Sequence, residues 1–177
     1  MTRLQVSHTA DLDPAVLEAA HDLLSDVFKG ELTDHDWEHS LGGMHALAWD
    51  DDELVGHASV VMRRLLHDGR ALRTGYVEGV AVRAERRRHG HAAAMMGALE
   101  RIIRGAYDLG ALGATEDAIP FYGGRGWLPW RGETWASTPH GMVRTPEEDD
   151  CIFVLPGTAP LDLDGSLTCD WREGDGW

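Results

Sequence analysis

Hydrophobic and polar positions change their spacing several times along the chain, and each change predicts where an element begins or ends. Leu4 and Val6 alternate with polar neighbours, which predicts a short strand. Asp13 and Pro14 then mark a helix start, because aspartate caps helices and proline suits the first helical position. Apolar residues recur at helical spacing after this point, and Gly30 predicts the end of the helix.

The middle of the chain switches from helical to strand-like spacing. A short helix is predicted from Thr33, which can cap the backbone near Asp36, to about Ser40. The strands that follow are separated by polar turns and are predicted over residues 44–49, 54–66 and 71–82. Gly75 and Gly79 interrupt the last of these strands, and a glycine inside a strand often marks a bulge or the close approach of a ligand.

The second half alternates strands with helices. A strong helix with one apolar face is predicted from Ala92 to Ala106. The remaining elements are predicted as a strand over residues 109–113, a short helix over 116–122, and strands over 127–135, 151–155 and 166–171. This order predicts an α/β fold in which a mixed sheet has helices on both faces.

Length and charge limit the classes of protein. The 177 residues, 43% of them hydrophobic, predict one domain over residues 1–177. Thirty Asp and Glu against sixteen Lys and Arg give a formal charge of −14, which argues against a general nucleic-acid binder. The charge favours cationic partners, or serves solubility alone. Two cysteines, no apolar signal core and no membrane-length apolar run predict a cytoplasmic protein.

A basic turn carries the first chemical signal. Residues 83–92 follow a predicted strand and lead into a helix, and they hold Arg83, Arg86, Arg87 and Arg88. Such a turn can direct backbone N–H groups and arginine forks at a diphosphate, although a solvated basic surface remains the alternative. Neither the Walker loop nor the Gly-x-Gly-x-x-Gly fingerprint is present.

The turn also carries a family signature. Arg87-Arg88-His89-Gly90-His91-Ala92 resembles the Arg/Gln-x-x-Gly-x-Gly/Ala motif of the GNAT superfamily, which binds acetyl-CoA. Blocks over residues 36–46, 75–82, 105–110, 122–130, 144–146 and 169–177 are similar to aminoglycoside 2'-N-acetyltransferases. The resemblance implies a GNAT-type sheet with splayed middle strands and a homodimer. It implies that acetyl-CoA is bound by Val80, Ala81, Val82, Arg87, Arg88, His89, Gly90, His91 and Ala92.

The resemblance further implies an acceptor site for a polycationic aminoglycoside. Its residues would be Glu31, Asp36, Glu78, Gly79, Gly113, Glu148, Asp149 and Trp177. Taken one at a time, these carboxylates are equally consistent with solvated surface charges. Relatives often have a small hydroxyl residue where this chain has Gly113, so only backbone contacts remain there.

An ammonium group must lose a proton before it attacks a thioester, and the departing thiolate must gain one. The resemblance assigns proton removal to Glu78, acting through water with help from the α-carboxylate of Trp177. It assigns thiolate protonation to Tyr122, and the backbone N–H of Val80 or Val82 would polarise the carbonyl. A frayed terminus and a packed tyrosine are the structural alternatives.

The histidines do not predict a metal site. His35 and His39 are four residues apart, but no further ligand pattern accompanies them, so we expect no metal. The leading hypothesis is therefore direct acetyl transfer from acetyl-CoA to the 2'-amine in a ternary complex. Two alternatives stay open: a GNAT enzyme for another amine, such as a cell-wall amino sugar or a polyamine, and a non-catalytic acidic interaction module.

Overall fold

The computed structural model describes residues 1–177, and the chain divides into two compact units. The first unit consists of Met1–Val61 and Val77–Arg101, and the second of Met62–Tyr76 and Ile102–Trp177. The prediction of a single domain over residues 1–177 stays a prediction.

The helices and strands follow the predicted order closely. The α-helices are α1 Pro14–Val27, α2 Asp34–His39, α3 His91–Ala106 and α4 Ile119–Gly123. The strands are β1 Thr2–His8, β2 Met44–Asp50, β3 Glu53–His67, β4 Arg70–Val82, β5 Leu109–Gly113, β6 Leu128–Pro129, β7 Thr134–Thr138, β8 Gly141–Arg144, β9 Ile152–Pro156 and β10 Leu167–Cys169. None of the helices combines the length and apolarity that a membrane crossing requires.

The start of α1 shows how local sequence determines an element. The Asp13 carboxylate accepts a hydrogen bond from the Ala15 N–H at 2.9 Å, and Pro14 occupies the first turn. Leu23 and Leu24 of this helix are fully buried in a cluster that includes Leu47 of β2. The predicted cap, helix and apolar face are all confirmed.

The first unit pairs β1 with β2 and β2 with β3, all antiparallel. The β2–β3 register shifts by one residue between Ala48 and Trp49: Trp49 pairs with Leu54, whereas Ala48 pairs with Gly56. Val55 is therefore an extra residue on β3. Such a bulge changes which face of the sheet the following side chains occupy.

Helices cover both faces of the sheet in this unit. Leu47 packs in the cluster with α1, whereas a Cβ built at Gly56 would lie 3.2 Å from both the Ala48 Cβ and the Met95 Sδ of α3. Leu47 and Ala48 are consecutive in one strand, so their side chains point to opposite faces. The prediction of helices on both faces is confirmed here.

The second unit contains the strand order β6-β9-β5-β4-β3-β10-β7-β8. The β4–β5 and β10–β7 pairs are parallel, whereas β5–β9, β6–β9, β3–β10 and β7–β8 are antiparallel. The predicted mixed sheet is thus confirmed. Pairing between β4 and β5 ends at Tyr76 and Ala111, although β4 continues to Val82. An early end of this pairing is what splayed middle strands would predict.

Two strand predictions were wrong in detail. Residues 127–135 form two strands rather than one, because Pro129 has no N–H for a ladder and the N–H groups of Arg131 and Gly132 both donate to Leu163 at 2.9 Å. Strand β8 was not predicted at all. Its Met142 and Val143 are both exposed, so no alternation of apolar and polar residues marks it.

Candidate active site

The basic turn after β4 is only partly available to an anion. The Arg83 guanidinium pairs with Asp26 at 3.3 Å, and Arg86 pairs with Asp50 at 2.5 Å and with Glu53 at 3.4 Å. These carboxylates already neutralise two of the four arginines. The expectation of a four-arginine cluster is therefore corrected to Arg87 and Arg88.

The same turn contains two residues in left-handed conformations. Arg88 and Gly90 have positive φ values of 63° and 84°, and a Cβ at Gly90 would meet nothing within 4 Å. The Arg87 Nε donates to the carbonyl of Val82 at 3.2 Å, and the His89 Nδ1 donates to the carbonyl of Arg87 at 2.8 Å. These bonds close the turn onto the end of β4.

Helix α3 begins directly after Gly90, at His91, and runs for 16 residues. The first N–H groups of a helix have no partner within the helix, and the helix dipole adds positive potential there. Arg88, His89 and Gly90 are exposed beside this end, His91 is buried and Ala92 is half-buried. The residues present thus fit the diphosphate of coenzyme A.

Gly79 has a φ of 58° within strand β4, which is the left-handed conformation of a glycine in a β-bulge. A Cβ at this position would come within 2.9 Å of the Ser40 Oγ and 3.2 Å of the His57 ring. The carbonyl of Gly79 accepts a hydrogen bond from the His57 Nδ1 at 2.7 Å. Glu78 and Val80 on either side are partly exposed, whereas Ala81 and Val82 are buried.

Two of the acceptor carboxylates predicted in the first unit, those of Glu31 and Asp36, differ in their surroundings. Glu31 is exposed. Asp36 belongs to a capping box at the start of α2: its Oδ2 accepts from the Thr33 N–H at 2.9 Å and from the Thr33 hydroxyl at 2.8 Å. Asp36 therefore stabilises the start of α2, and its contact with substrate stays a prediction.

Tyr122 lies in α4 in the second unit, with its ring packed against Phe121 and Trp127 at centroid distances of 5.2 and 6.1 Å. The side chain is 6% exposed. Burial raises the pKa of Tyr122 to about 12. The hydroxyl thus keeps its proton at neutral pH, as a proton or hydrogen-bond donor must.

The C-terminal segment folds back onto the second unit. Trp177 is 6% exposed, its indole Nε1 donates to the Thr145 hydroxyl at 3.0 Å, and its backbone N–H donates to Asp175 at 3.0 Å. The Arg172 guanidinium donates to the Trp177 backbone oxygen at 2.7 Å. These contacts form the anchored segment expected from the sequence, and the role of Trp177 in the reaction stays a prediction.

A buried arginine that sequence reasoning missed holds this segment. Arg63 is 4% exposed, and its Nε donates to Asp170 at 2.8 Å while its Nη2 donates to the carbonyl of Gly176 at 2.7 Å. Its guanidinium carbon lies 4.7 Å from the Tyr76 ring centroid, and that of Arg172 lies 5.5 Å from it. A Cβ at Gly113 would lie 3.9 Å from the Tyr76 hydroxyl. Gly113, a predicted acceptor residue, therefore lies next to Tyr76, which was not among the predicted site residues.

Glu148 and Asp149 play different parts although they are neighbours. The pKa of Glu148 is raised by burial and by the nearby charges of Asp175 and Glu147, which indicates a concentrated negative potential. Asp149 is hydrogen-bonded by Arg144 and Thr134, which lowers the pKa of its carboxyl to about 2. Glu148 is the better candidate for a cationic ligand, and the substrate roles of both stay predictions.

The structure contains no group of three or more His, Cys, Asp or Glu residues placed to hold a metal ion. His35 instead lies 3.5 Å from Glu38 on α2. Both cysteines are free, with Cys169 buried and Cys151 half-buried.

Comparisons with known proteins agree with this fold. A sequence profile for the acetyltransferase (GNAT) domain matches residues 10–129. The chain belongs to the GNAT acetyltransferase family and is an N-acetyltransferase. Within that family, it is 51% identical over 174 residues to the aminoglycoside 2'-N-acetyltransferase of Mycolicibacterium fortuitum, which covers 96% of this chain and 89% of that protein.

Solved structures show the same fold at low identity. Escherichia coli ElaA is 22% identical, with a TM-score of 0.61 over 88% of this chain and 99% of that chain. An acyl-CoA N-acyltransferase from Pseudomonas aeruginosa is 17% identical, with a TM-score of 0.62 over 88% and 99% of the two chains. At these identities the likeness concerns the fold alone.

Proposed function

We propose that this protein transfers an acetyl group from acetyl-CoA to the 2'-amine of aminoglycosides, by direct attack in a ternary complex. The observation that carries the proposal is the 51% identity to the Mycolicibacterium fortuitum enzyme across 96% of the chain. Similarity at this level over nearly the whole length is what shared chemistry on a shared substrate class would produce.

Acetyl-CoA supplies a thioester whose carbonyl carbon is attacked by the amine. The turn from Arg87 to Ala92 binds the diphosphate through backbone N–H groups and the guanidiniums of Arg87 and Arg88. The Val80 or Val82 N–H polarises the carbonyl, because pairing between β4 and β5 has ended before this part of β4. Val80, Ala81 and Val82 together form the strand that the pantetheine arm follows.

Proton movements are assigned to three residues. Glu78 removes a proton from the substrate ammonium through water, and the carboxylate of Trp177 assists it. Tyr122 donates a proton or hydrogen bond to the departing thiolate, and its burial supports that role. Glu31, Asp36, Gly79, Gly113, Glu148 and Asp149 belong to the acceptor side of the proposal, and the negative surroundings of Glu148 favour a polyammonium ligand there.

Two finer expectations complete the proposal: the protein works in the cytoplasm, and it forms a homodimer. Two free thiols suit a reducing compartment. The dimer is expected from the family resemblance alone.

The proposal predicts a single acetylated position. With acetyl-CoA and an aminoglycoside that carries several amines, NMR of the product should show acetylation at the 2'-amine. An aminoglycoside with a hydroxyl at the 2' position is the matched control and should not be acetylated. Acetylation only at other amines, or only of amino sugars or polyamines, would refute the 2' assignment.

The diphosphate turn can be tested by calorimetry with coenzyme A. Arg88→Gly suits the positive φ and removes only the side chain, so the dissociation constant should rise about 10-fold, the typical effect of one charged hydrogen bond. The affinity for pantetheine, which has no diphosphate, should be the same for both proteins. Absence of coenzyme A binding at millimolar concentration would leave the enzyme without a donor and support the interaction-module alternative.

A further inference from the structure

A buried chain of hydrogen bonds in the first unit ends on the bulge of β4. The Gly42 N–H donates to the Thr9 hydroxyl at 2.9 Å, and this hydroxyl lies 2.7 Å from the His45 Nε2. The His45 Nδ1 lies 2.9 Å from the His57 Nε2, and the His57 Nδ1 lies 2.7 Å from the carbonyl of Gly79. Both histidines are fully buried.

The end of this chain fixes the proton on every member. A carbonyl only accepts hydrogen bonds, so the His57 Nδ1 must carry the hydrogen, and in the neutral ring the Nε2 must accept. The His45 Nδ1 then donates to His57, and the His45 Nε2 accepts from the Thr9 hydroxyl, which is closer to it at 2.7 Å than to its other acceptor, the carbonyl of Gly43, at 3.3 Å. With both rings neutral, both are therefore Nδ1–H tautomers, and all bonds run in one direction towards Gly79.

The surroundings keep both rings neutral. Burial lowers the pKa of His57 to about 4, and burial together with His57 and His8 lowers the pKa of His45 to about 4. The Trp37 ring of α2 packs on His57 at a centroid distance of 6.2 Å. Because both rings are neutral at neutral pH, the hydrogen bonds from Thr9 to Gly79 have a single set of donors and acceptors.

The two carbonyls of the bulge are both held by side chains from β3. His57 holds the carbonyl of Gly79, and the Ser59 hydroxyl lies 3.4 Å from the carbonyl of Glu78. Side-chain donors thus hold the peptide units on both sides of the left-handed residue. The orientation of these units determines where the Glu78 side chain and the Val80 N–H point.

We infer that His57, kept in its tautomer by His45, is a positioning residue for acetyl transfer: it fixes the Gly79 carbonyl and thereby the aim of Glu78. This inference rests on the proposed function. Displacements of about 1 Å at a reacting group can cost about 100-fold in rate, so a single well-placed donor matters.

Two polar substitutions separate positioning from simple filling of space. In His57→Asn the amide can occupy the place of Nδ1 and still donate to Gly79, whereas in His57→Gln the amide reaches the place of Nε2. We expect His57→Asn to keep kcat within about 3-fold of wild type, and His57→Gln to lose about 10-fold with KM for acetyl-CoA within about 3-fold. The rate is measured with whichever amine the NMR analysis of the product shows to be acetylated. The comparison of His57→Asn with His57→Gln therefore stays valid even if the 2' assignment fails.

A matched control is offered by His67 in the second unit. It is also buried, lies 3.0 Å from the carbonyl of Ser166 through Nδ1 and accepts from the Asp162 N–H at 3.0 Å through Nε2. His67→Gln should lower the unfolding temperature without a selective loss of kcat. Equal kcat for His57→Asn and His57→Gln would overturn the inference.

Imidazole ¹⁵N NMR of the wild-type enzyme tests the same inference without substrate or mutation. Both His45 and His57 should be Nδ1–H tautomers from pH 8 to pH 6. An Nε2–H tautomer at His57 would leave the Gly79 carbonyl without this donor and would refute the positioning role, whatever amine the enzyme acetylates.

Discussion

Tyr122→Phe is expected to lower kcat by about 100-fold, the lower end of what general acid catalysis contributes. The substitution keeps the ring, which packs between Phe121 and Trp127, and removes only the hydroxyl. Stability and acceptor binding should therefore change little, and the loss should appear in kcat rather than in KM.

The pH dependence makes this prediction sharper. Burial raises the pKa of Tyr122 to about 12, so the hydroxyl stays protonated across the range in which the enzyme can be assayed. Wild-type kcat should show no basic limb from Tyr122 between pH 6 and pH 10, and the variant should be uniformly slower over that range. Steady-state kinetics at each pH measures both quantities.

Tyr107 is the matched control, because burial also raises the pKa of this half-buried tyrosine in the same unit. Its ring packs on β4 at Gly75, where a Cβ would meet it at 2.9 Å. Tyr107→Phe should keep kcat within about 2-fold, because the proposed proton transfers do not involve the Tyr107 hydroxyl. Unchanged turnover of Tyr122→Phe at every pH would exclude Tyr122 as the acid.

Arg63→Met is expected to loosen the C-terminal segment and destabilise the protein by about 3 kcal/mol. The arginine joins both ends of the segment, through Asp170 and the carbonyl of Gly176, and methionine replaces its volume without its donors. Asp170 is 37% exposed and can be rehydrated, so the cost should not exceed this value. A fall of roughly 6–12 °C in unfolding temperature would correspond to it.

The C-terminal segment of Arg63→Met should also be digested more readily by carboxypeptidase. In the wild type, the buried Trp177 is held through Thr145, Asp175 and Arg172 and should resist carboxypeptidase. Intact-mass spectrometry during digestion should show faster loss of Trp177 from Arg63→Met. Arg64→Met is the control, because that exposed neighbour contacts Asp170 through its backbone N–H. Equal digestion rates for all three proteins would contradict the view that Arg63 holds the C-terminal segment in place.

Local signals in the sequence predicted much of the fold. Helix α1 was predicted from Asp13, Pro14 and the apolar spacing that follows, because caps and periodicity act within a few residues. The ion pairs of Arg83 and Arg86 were not predicted, since their partners Asp26, Asp50 and Glu53 lie more than thirty residues away in sequence. Charge pattern alone therefore overstated the free positive charge of the turn.

The histidine chain escaped prediction for a geometric reason. With regular pairing from the turn at Asp50 and Glu53, His45 would be opposite Ala58, and His57 would be on the other face. The extra residue Val55 moves the pairing by one, so that His57 is opposite Leu47 and shares a face with His45. Register shifts of this kind depend on packing and leave no local sequence signal.

Because of the extra residue Val55, the function of the β2–β3 hairpin depends on its length. Loss of one codon between those for Leu54 and Gly56 would leave every side chain of the family signature intact, yet would rotate His57 to the opposite side of the sheet. Natural variants that lose a residue at this hairpin should therefore lose activity, even though the exposed turn residue Asp52 would tolerate changes of residue type.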